Sequence, residues 1–143
     1  MNKIGIYPPS ICPVGNRLET PVSQGVRWGN LVFTTAKPGR LPDGPLPEVF
    51  EDQVRQLFSN LQQILNAAGT SLDHVLMTRV WAFNVPGDTE EKARERSQKF
   101  NEIYKEYFKE PYPARGVFHN VTHGAIKGVP CYYEVDVVAG VPE

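Results

Sequence analysis

Two long segments each carry a single apolar stripe at helical spacing, with β-branched and aromatic stretches before, between and after them. Few folds accept that order. The first stripe is Val54, Leu57, Phe58, Leu61, Ile64, Leu65 and Ala68. These positions fall on one face of an α-helix. The reading is a helix from Val49 to Ala68, with Glu48, Glu51 and Asp52 near its N-terminus, where the dipole favours acids. Gly69 follows as its C-terminal stop. The second stripe is Ala93, Ser97, Phe100, Ile103, Tyr104, Tyr107 and Phe108. It predicts a helix from Glu90 to Lys109. Asp88 or Thr89 offers an N-cap, Asp88 and Glu91 have capping-box spacing, and Pro111 ends the segment.

The remaining apolar stretches read as strands. Val26-Arg27-Trp28 and Leu31 to Thr35 flank Gly29-Asn30, a two-residue turn that tolerates positive φ. His74 to Phe83, Ala114 to Val121 and Cys131 to Ala139 are three further strands. The interleaving predicts an α+β or α/β layer, with two helices covering one face of one sheet. The other face then needs cover as well. If it is apolar, self-association buries it. Thirteen prolines are present, eight of them in the first 47 residues. The Pro-rich stretch from Lys37 to Pro47 reads as an ordered loop, because the segment before it is too short for a separate domain. The chain is expected to be one domain over residues 1–143.

Charge and composition exclude several function classes. The net charge is -1, with no basic stripe, so no nucleic-acid partner is expected. No apolar run is long enough to span a bilayer. The N-terminus lacks a leader core, so Cys12 and Cys131 are expected as free thiols in a reducing, cytoplasmic setting. No Gly-rich phosphate loop follows a strand and no nucleophile elbow is present, so no cofactor is expected.

Chemistry concentrates in the last two strands. Period-two alternation puts Arg115, Val117 and His119 on one face. On the last strand it puts Tyr132, Glu134, Asp136 and Val138 on one face and Cys131, Tyr133, Val135 and Val137 on the other. Arg115 is the natural partner of those acids if the strands pair. One reading is a structural ion pair. The other is a carboxylate-binding Arg beside a Glu whose partial burial suits it to handle a proton or a water. His119 and His123, four apart, invite a metal reading with Asp136 as third ligand. A strand running into a loop does not align them, so no metal is expected.

Several segments resemble the RidA (YjgF-type) family. Ser23-Gln24-Gly25-Val26 and Gly29-Asn30-Leu31-Val32-Phe33-Thr34-Thr35 are similar to its first hairpin. Gln53-Val54-Arg55-Gln56, Asn60-Leu61, Ile64-Leu65 and Ala67-Ala68-Gly69 are similar to its first helix, and Ser71-Leu72-Asp73-His74-Val75 follows in step. Asn101-Glu102-Ile103-Tyr104 with Tyr107-Phe108 resembles its second helix. Pro113-Ala114-Arg115 and Tyr133-Glu134-Val135-Asp136 resemble its two signature strands. The match covers residues 20 to 140.

The resemblance implies a chorismate-mutase-like α+β fold and a homotrimer with a central barrel and clefts between subunits. It implies cofactor-free hydrolysis of enamines and imines to a carbonyl compound and ammonia, on a small carboxylate-bearing substrate. Arg115 would grip the substrate carboxylate. Glu134 would position the water and relay protons. Val22, Thr35, Ala36, Lys37, Asn101 and Val117 would complete the pocket. Some positions depart from the family pattern. Val22 stands where a Tyr is frequent, Thr35, Ala36 and Lys37 replace Ser, Gly and Gln, and Val117 replaces a frequent Cys. The loop between the signature strands, with His119, His123 and Lys127, is longer than usual. These changes point to a different, larger acid. The alternatives are a small-acid binding protein without catalysis and an endoribonuclease, the latter opposed by the net charge.

Overall fold

The alternating and helical patterns resolve into a six-stranded mixed sheet with both helices on one face. The computed structural model describes residues 2–13 and 19–143. The elements are β1 (Lys3–Ile6), β2 (Gly25–Trp28), β3 (Leu31–Thr34), α1 (Phe50–Ala67), a 3-10 turn (Leu72–His74), β4 (Val75–Phe83), α2 (Glu90–Tyr107), β5 (Ala114–Val121), β6 (Ala125–Ile126), β7 (Val129–Pro130) and β8 (Tyr133–Gly140). The sheet order is β1-β2-β3-β8-β4-β5, and β6 and β7 form a separate two-stranded ribbon. Only β4 and β5 pair in parallel, because α2 carries the chain back across the sheet between them.

Both expected helices form, within two residues of their predicted ends. Gly69 takes a φ of 91°, which lets the Thr70 N–H close onto the Leu65 carbonyl at 2.9 Å. The cap of α2 is Thr89, whose side chain accepts from the Lys92 N–H. Asp88 instead pairs with Arg96. The helix stops at Tyr107 because Phe108 turns to extended backbone and is buried in the core. The last strand begins at Tyr133, not Cys131. Strand β1 and the β6–β7 ribbon are additions to the predicted set.

Strand parity decides which residues meet the helices. Val32, Thr78, Val80, Val135, Val137 and Ala139 are buried with the α1 stripe and with Phe100, Ile103 and Tyr104 of α2. A bulge between Val75 and Met77 lets Val75 and Thr78 both face the core. The opposite face is open. It exposes Trp28, Leu31, Phe33, Met77 and Phe118, with Phe33 and Trp28 still 45% and 48% accessible. This is the apolar second face that the element order anticipates.

The Pro-rich segment is an ordered loop clamped by two buried amides of α1. Asn60 donates to the carbonyls of Pro38 and Arg40 at 3.2 and 2.9 Å. Gln53 donates to those of Pro47 and Pro130 at 3.2 and 3.0 Å and accepts from the Tyr132 N–H. Gly39 packs so closely that an added Cβ would lie 1.9 Å from the Gln53 carbonyl oxygen. Gly39→Ala is therefore expected to lower stability by about 2 kcal/mol, read as a lower urea midpoint at unchanged slope.

Candidate functional site

The residues singled out from the sequence fall into two groups on opposite faces of the sheet. Arg115 sits on β5 in register with Thr78, whose hydroxyl bonds the Tyr104 phenol at 2.9 Å. Arg115 therefore faces α2. Its guanidinium lies 4.8 Å from the Tyr104 ring centre and 5.4 Å from that of Phe100, and it donates to Asn101 Oδ1 at 2.8 Å. Val117 is two residues on, on the same face, and 42% exposed. Arg115, Asn101 and Val117 thus form one group.

Glu134 belongs to the other group. It is opposite Trp81 on β4 and faces away from the helices. The expected pairing of Arg115 with an acid of the last strand is not made, because β4 lies between β5 and β8. Asp136 takes Arg79 at 2.6 Å and the Trp81 indole N–H at 3.0 Å. Glu134 takes His123, Nε2 to Oε2 at 2.8 Å. The Glu134 side chain is only 15% accessible. Burial raises its carboxyl above the ordinary value, against the opposing pull of His123, Lys37 and Arg40.

Lys37 reaches Glu134 from the neighbouring edge. Its backbone bridges Val135 in both directions, at 2.9 and 3.1 Å. Its ammonium is buried and donates to Gln24 Oε1 at 2.7 Å. Desolvation lowers its pKa to about 8, with Cys12 and Glu134 pulling upward and Arg40 downward. Lys37, which the resemblance places in the substrate pocket, is thus only 4% exposed in the protomer. It is a buried cation shaping the electrostatics around Glu134. Thr35 anchors the same turn, its N–H and hydroxyl both donating to the Gln24 carbonyl at 2.9 and 3.2 Å. Ala36 is half-buried between Thr35 and Lys37.

Gln24 links this cluster to a cavity of about 220 Å³ lined by Tyr7, Pro8, Pro9, Ile11, Pro13, Val22 and Gln24. The phenol missing at Val22 is supplied from another element. Tyr7, just after β1, lines the same cavity and bonds the Ser23 hydroxyl at 2.8 Å. Sequence reasoning missed Tyr7 because its partner lies far along the chain.

In the sequence His123 is a loop residue that invites a metal reading with His119 and belongs to the longer loop expected to recognise the acid; its place beside Glu134 comes with the β6–β7 ribbon. Lys127 and Gly128 take φ of 50° and 82°, the two positive values of a tight hairpin turn. The ribbon folds the long loop back and sets His123 against Phe83, ring centres 5.0 Å apart. His119 instead lines a cavity under α2 with Arg96, Ser97 and Tyr133, so the two histidines do not converge. The donors of His123, Cys131 and Glu134 do, all within 4.8 Å of one another. Burial and Glu134 push the Cys131 thiol up to about 12, with Arg40 and the Tyr133 backbone pulling downward. As a cation site the cluster would need Cys131 to ionise and the His123–Glu134 bond to break.

Comparison with known proteins agrees with the architecture. Residues 15–139 match the family model described as Endoribonuclease L-PSP. A RutC family protein of Aquifex aeolicus is 31% identical over 133 residues, covering 91% of this chain and 90% of that protein. The chloroplastic Reactive Intermediate Deaminase A of Arabidopsis thaliana is 31% identical over 68% of this chain and 49% of its own longer sequence. Among solved structures, RidA from the Antarctic bacterium Psychrobacter superposes with a TM-score of 0.75 at 25% identity, over 96% of this chain and 99% of that one.

The buried ammonium has a measurable signature. The folded pKa of Lys37 lies below the unfolded value of about 10.4. Between the two, the unfolded chain binds more protons, so this group makes stability rise with pH. Wild type is expected to gain stability relative to Lys37→Met as pH goes from about 8 to about 10.4. The gain would be read by urea unfolding across that range. A parallel pair of curves would show that Lys37 is not desolvated.

Proposed function

The chain belongs to the Endoribonuclease L-PSP family, the RutC/Rid group that includes a reactive intermediate deaminase, and from that premise we propose that it hydrolyses carboxylate-bearing enamines or imines to a carbonyl compound and ammonia. The observation that carries this reading is Glu134, a carboxyl on the open face, mostly buried, with its pKa raised by desolvation and a proton-bearing neighbour at 2.8 Å. Such a group can take a proton from water and return it within one turnover.

The reaction needs little more than positioning and one acid–base group. An enamine takes a proton at carbon from solvent and becomes an iminium, and an equal proton returns to solvent when the hydroxyl of the adduct becomes the carbonyl. Water, held by Glu134, adds to the C=N carbon and gives up a proton to the carboxylate. The C–N bond then breaks as that proton passes to nitrogen. The water oxygen stays on the carbonyl carbon and ammonia leaves. Arg115 supplies a planar fork for the substrate carboxylate, and the rings of Phe100 and Tyr104 hold that fork in place.

Arg115 and Glu134 lie on opposite faces of one protomer, so a single substrate meets both only across a subunit boundary. The proposed working unit is a homotrimer of single-domain chains, with the open face buried inside and Arg115 of one copy opposite Glu134 of the next. The exposed apolar side chains of that face support it. The cavity beside Val22 and Tyr7 is the proposed seat of the substrate's side chain. RNA cleavage, the activity in the family's name, is opposed by the net charge of -1. No helix among the described residues is long and apolar enough to cross a membrane.

The test is ammonia release from enamines generated in situ. Glu134→Gln and Arg115→Ala are each expected to lower turnover by about a hundredfold or more, with circular dichroism unchanged. Arg115→Ala should act mainly through KM and Glu134→Gln through kcat. Binding of a small acid that needs Arg115, with no turnover in wild type, would instead establish a binding protein.

A further inference from the structure

We infer that His123 is a positioning residue that sets the charge of Glu134, the two side chains holding one mobile proton between them. The inference rests on the deaminase reading above for its catalytic consequence, and on the ring geometry alone for the proton.

The geometry leaves little choice. His123 Nδ1 lies 3.2 Å from the Gly124 carbonyl oxygen. A carbonyl only accepts, so Nδ1 carries a hydrogen. The tautomer thus follows from the acceptor it faces. Nε2 then has a bare lone pair unless the ring is doubly protonated. Yet Nε2 lies 2.8 Å from Glu134 Oε2, a distance at which two lone pairs repel. One proton must lie between them. The pair is either imidazolium with carboxylate or imidazole with carboxylic acid, and both forms bear the same total charge.

The surroundings make this sharing consequential. Burial favours the neutral carboxyl of Glu134, while His123, Lys37 and Arg40 favour its ionised form. The Cys131 thiol lies within 4.8 Å of both groups, and burial raises its pKa. Arg79 is committed to Asp136. Of the groups favouring the carboxylate, His123 is the one in direct hydrogen bond with it. In the hydrolysis the carboxylate form accepts the proton of the attacking water through its free oxygen. The shared proton then moves from nitrogen to carboxyl as the first is handed to the departing amine. His123 never needs to touch the substrate. Its ring is fixed by the Gly124 carbonyl on one side and by Phe83 on another.

Two readouts separate this inference from the reading it rests on. The first needs no activity. The Glu134 carboxyl carbon is followed by 13C NMR through a pH titration, with its signal assigned by its loss in Glu134→Gln. In His123→Ala the Glu134 titration is expected to move to higher pH, because the first of the opposing charges is gone. The second readout is turnover. His123→Ala is expected to lower kcat at least about tenfold with KM within about twofold, and to move the acid limb of the kcat/KM profile upward. His123→Gln keeps a hydrogen-bond donor but holds no mobile proton, so it should not restore kcat. Full recovery in His123→Gln, or an unmoved Glu134 titration in His123→Ala, overturns the inference and leaves the deaminase reading standing on Arg115 and Glu134. A wild type inert toward every enamine, with the titration still displaced, overturns the deaminase reading and leaves the shared proton in place.

Discussion

The structure depends on one constraint, a sheet covered by helices on a single side. Each strand residue is committed by parity either to the α1–α2 layer or to the open face, and no side chain reaches both. This separates Arg115 from Glu134. It also explains why the two acids of β8 have different fates. Asp136 is held by Arg79 and Trp81 of the adjacent strand and is fully satisfied within the protomer. Glu134, nearer the strand's start, stands where the β3–α1 loop and the β6–β7 ribbon close over the sheet edge. Only there do side chains from outside the sheet reach a strand carboxylate.

The loops that reach Glu134 are held by buried amides of α1, not by propensity. Gln53 and Asn60 satisfy five backbone groups between them, in segments 38–47 and 130–132. An unpaired amide or carbonyl at such depth costs about 1–3 kcal/mol, so these contacts specify one path for a loop that otherwise has no periodic structure. The same path forces Lys37 inward. Lys37 becomes a buried cation because its backbone is zipped to Val135 on both sides. Its stem has nowhere to go but along Gln24.

Much of this was legible before the coordinates. The helical stripes were right because burial on one side of a helix imposes its own spacing, and the hairpin at Gly29-Asn30 was right because few residues permit that turn. The family resemblance led to Arg115 and Glu134. What failed were inferences about neighbours. Arg115 was matched to the last strand because the two strands follow one another in sequence, and such strands are adjacent roughly two thirds of the time. Here the chain after β5 passes β4 and adds β8 on its far side, so β4 lies between them. Cys131 was counted into the last strand because its apolar side chain continues the alternation. The turn at Lys127-Gly128 was hidden, because lysine is a poor marker of positive φ. Without that turn nothing in the sequence brings His123 to Glu134.

The electrostatics of the open face follow from how much water it loses. In one protomer Glu134 and Lys37 are already largely desolvated, and their pKa values move toward each other, the acid upward and the amine downward. Covering the open face with another copy removes more water and strengthens both movements. Each such step weakens the case for a charged Glu134 unless a cation stays within contact. Lys37 meets that need poorly, since the same desolvation drives it toward neutrality. An imidazole locked by a backbone carbonyl meets it better, because exchanging a proton with the carboxyl leaves the pair's net charge unchanged and costs no further desolvation. The long loop between β5 and β8 is thus explained by electrostatics as much as by pocket shape. On the proposed assembly, it brings a proton-sharing partner to a carboxyl that further burial would neutralise.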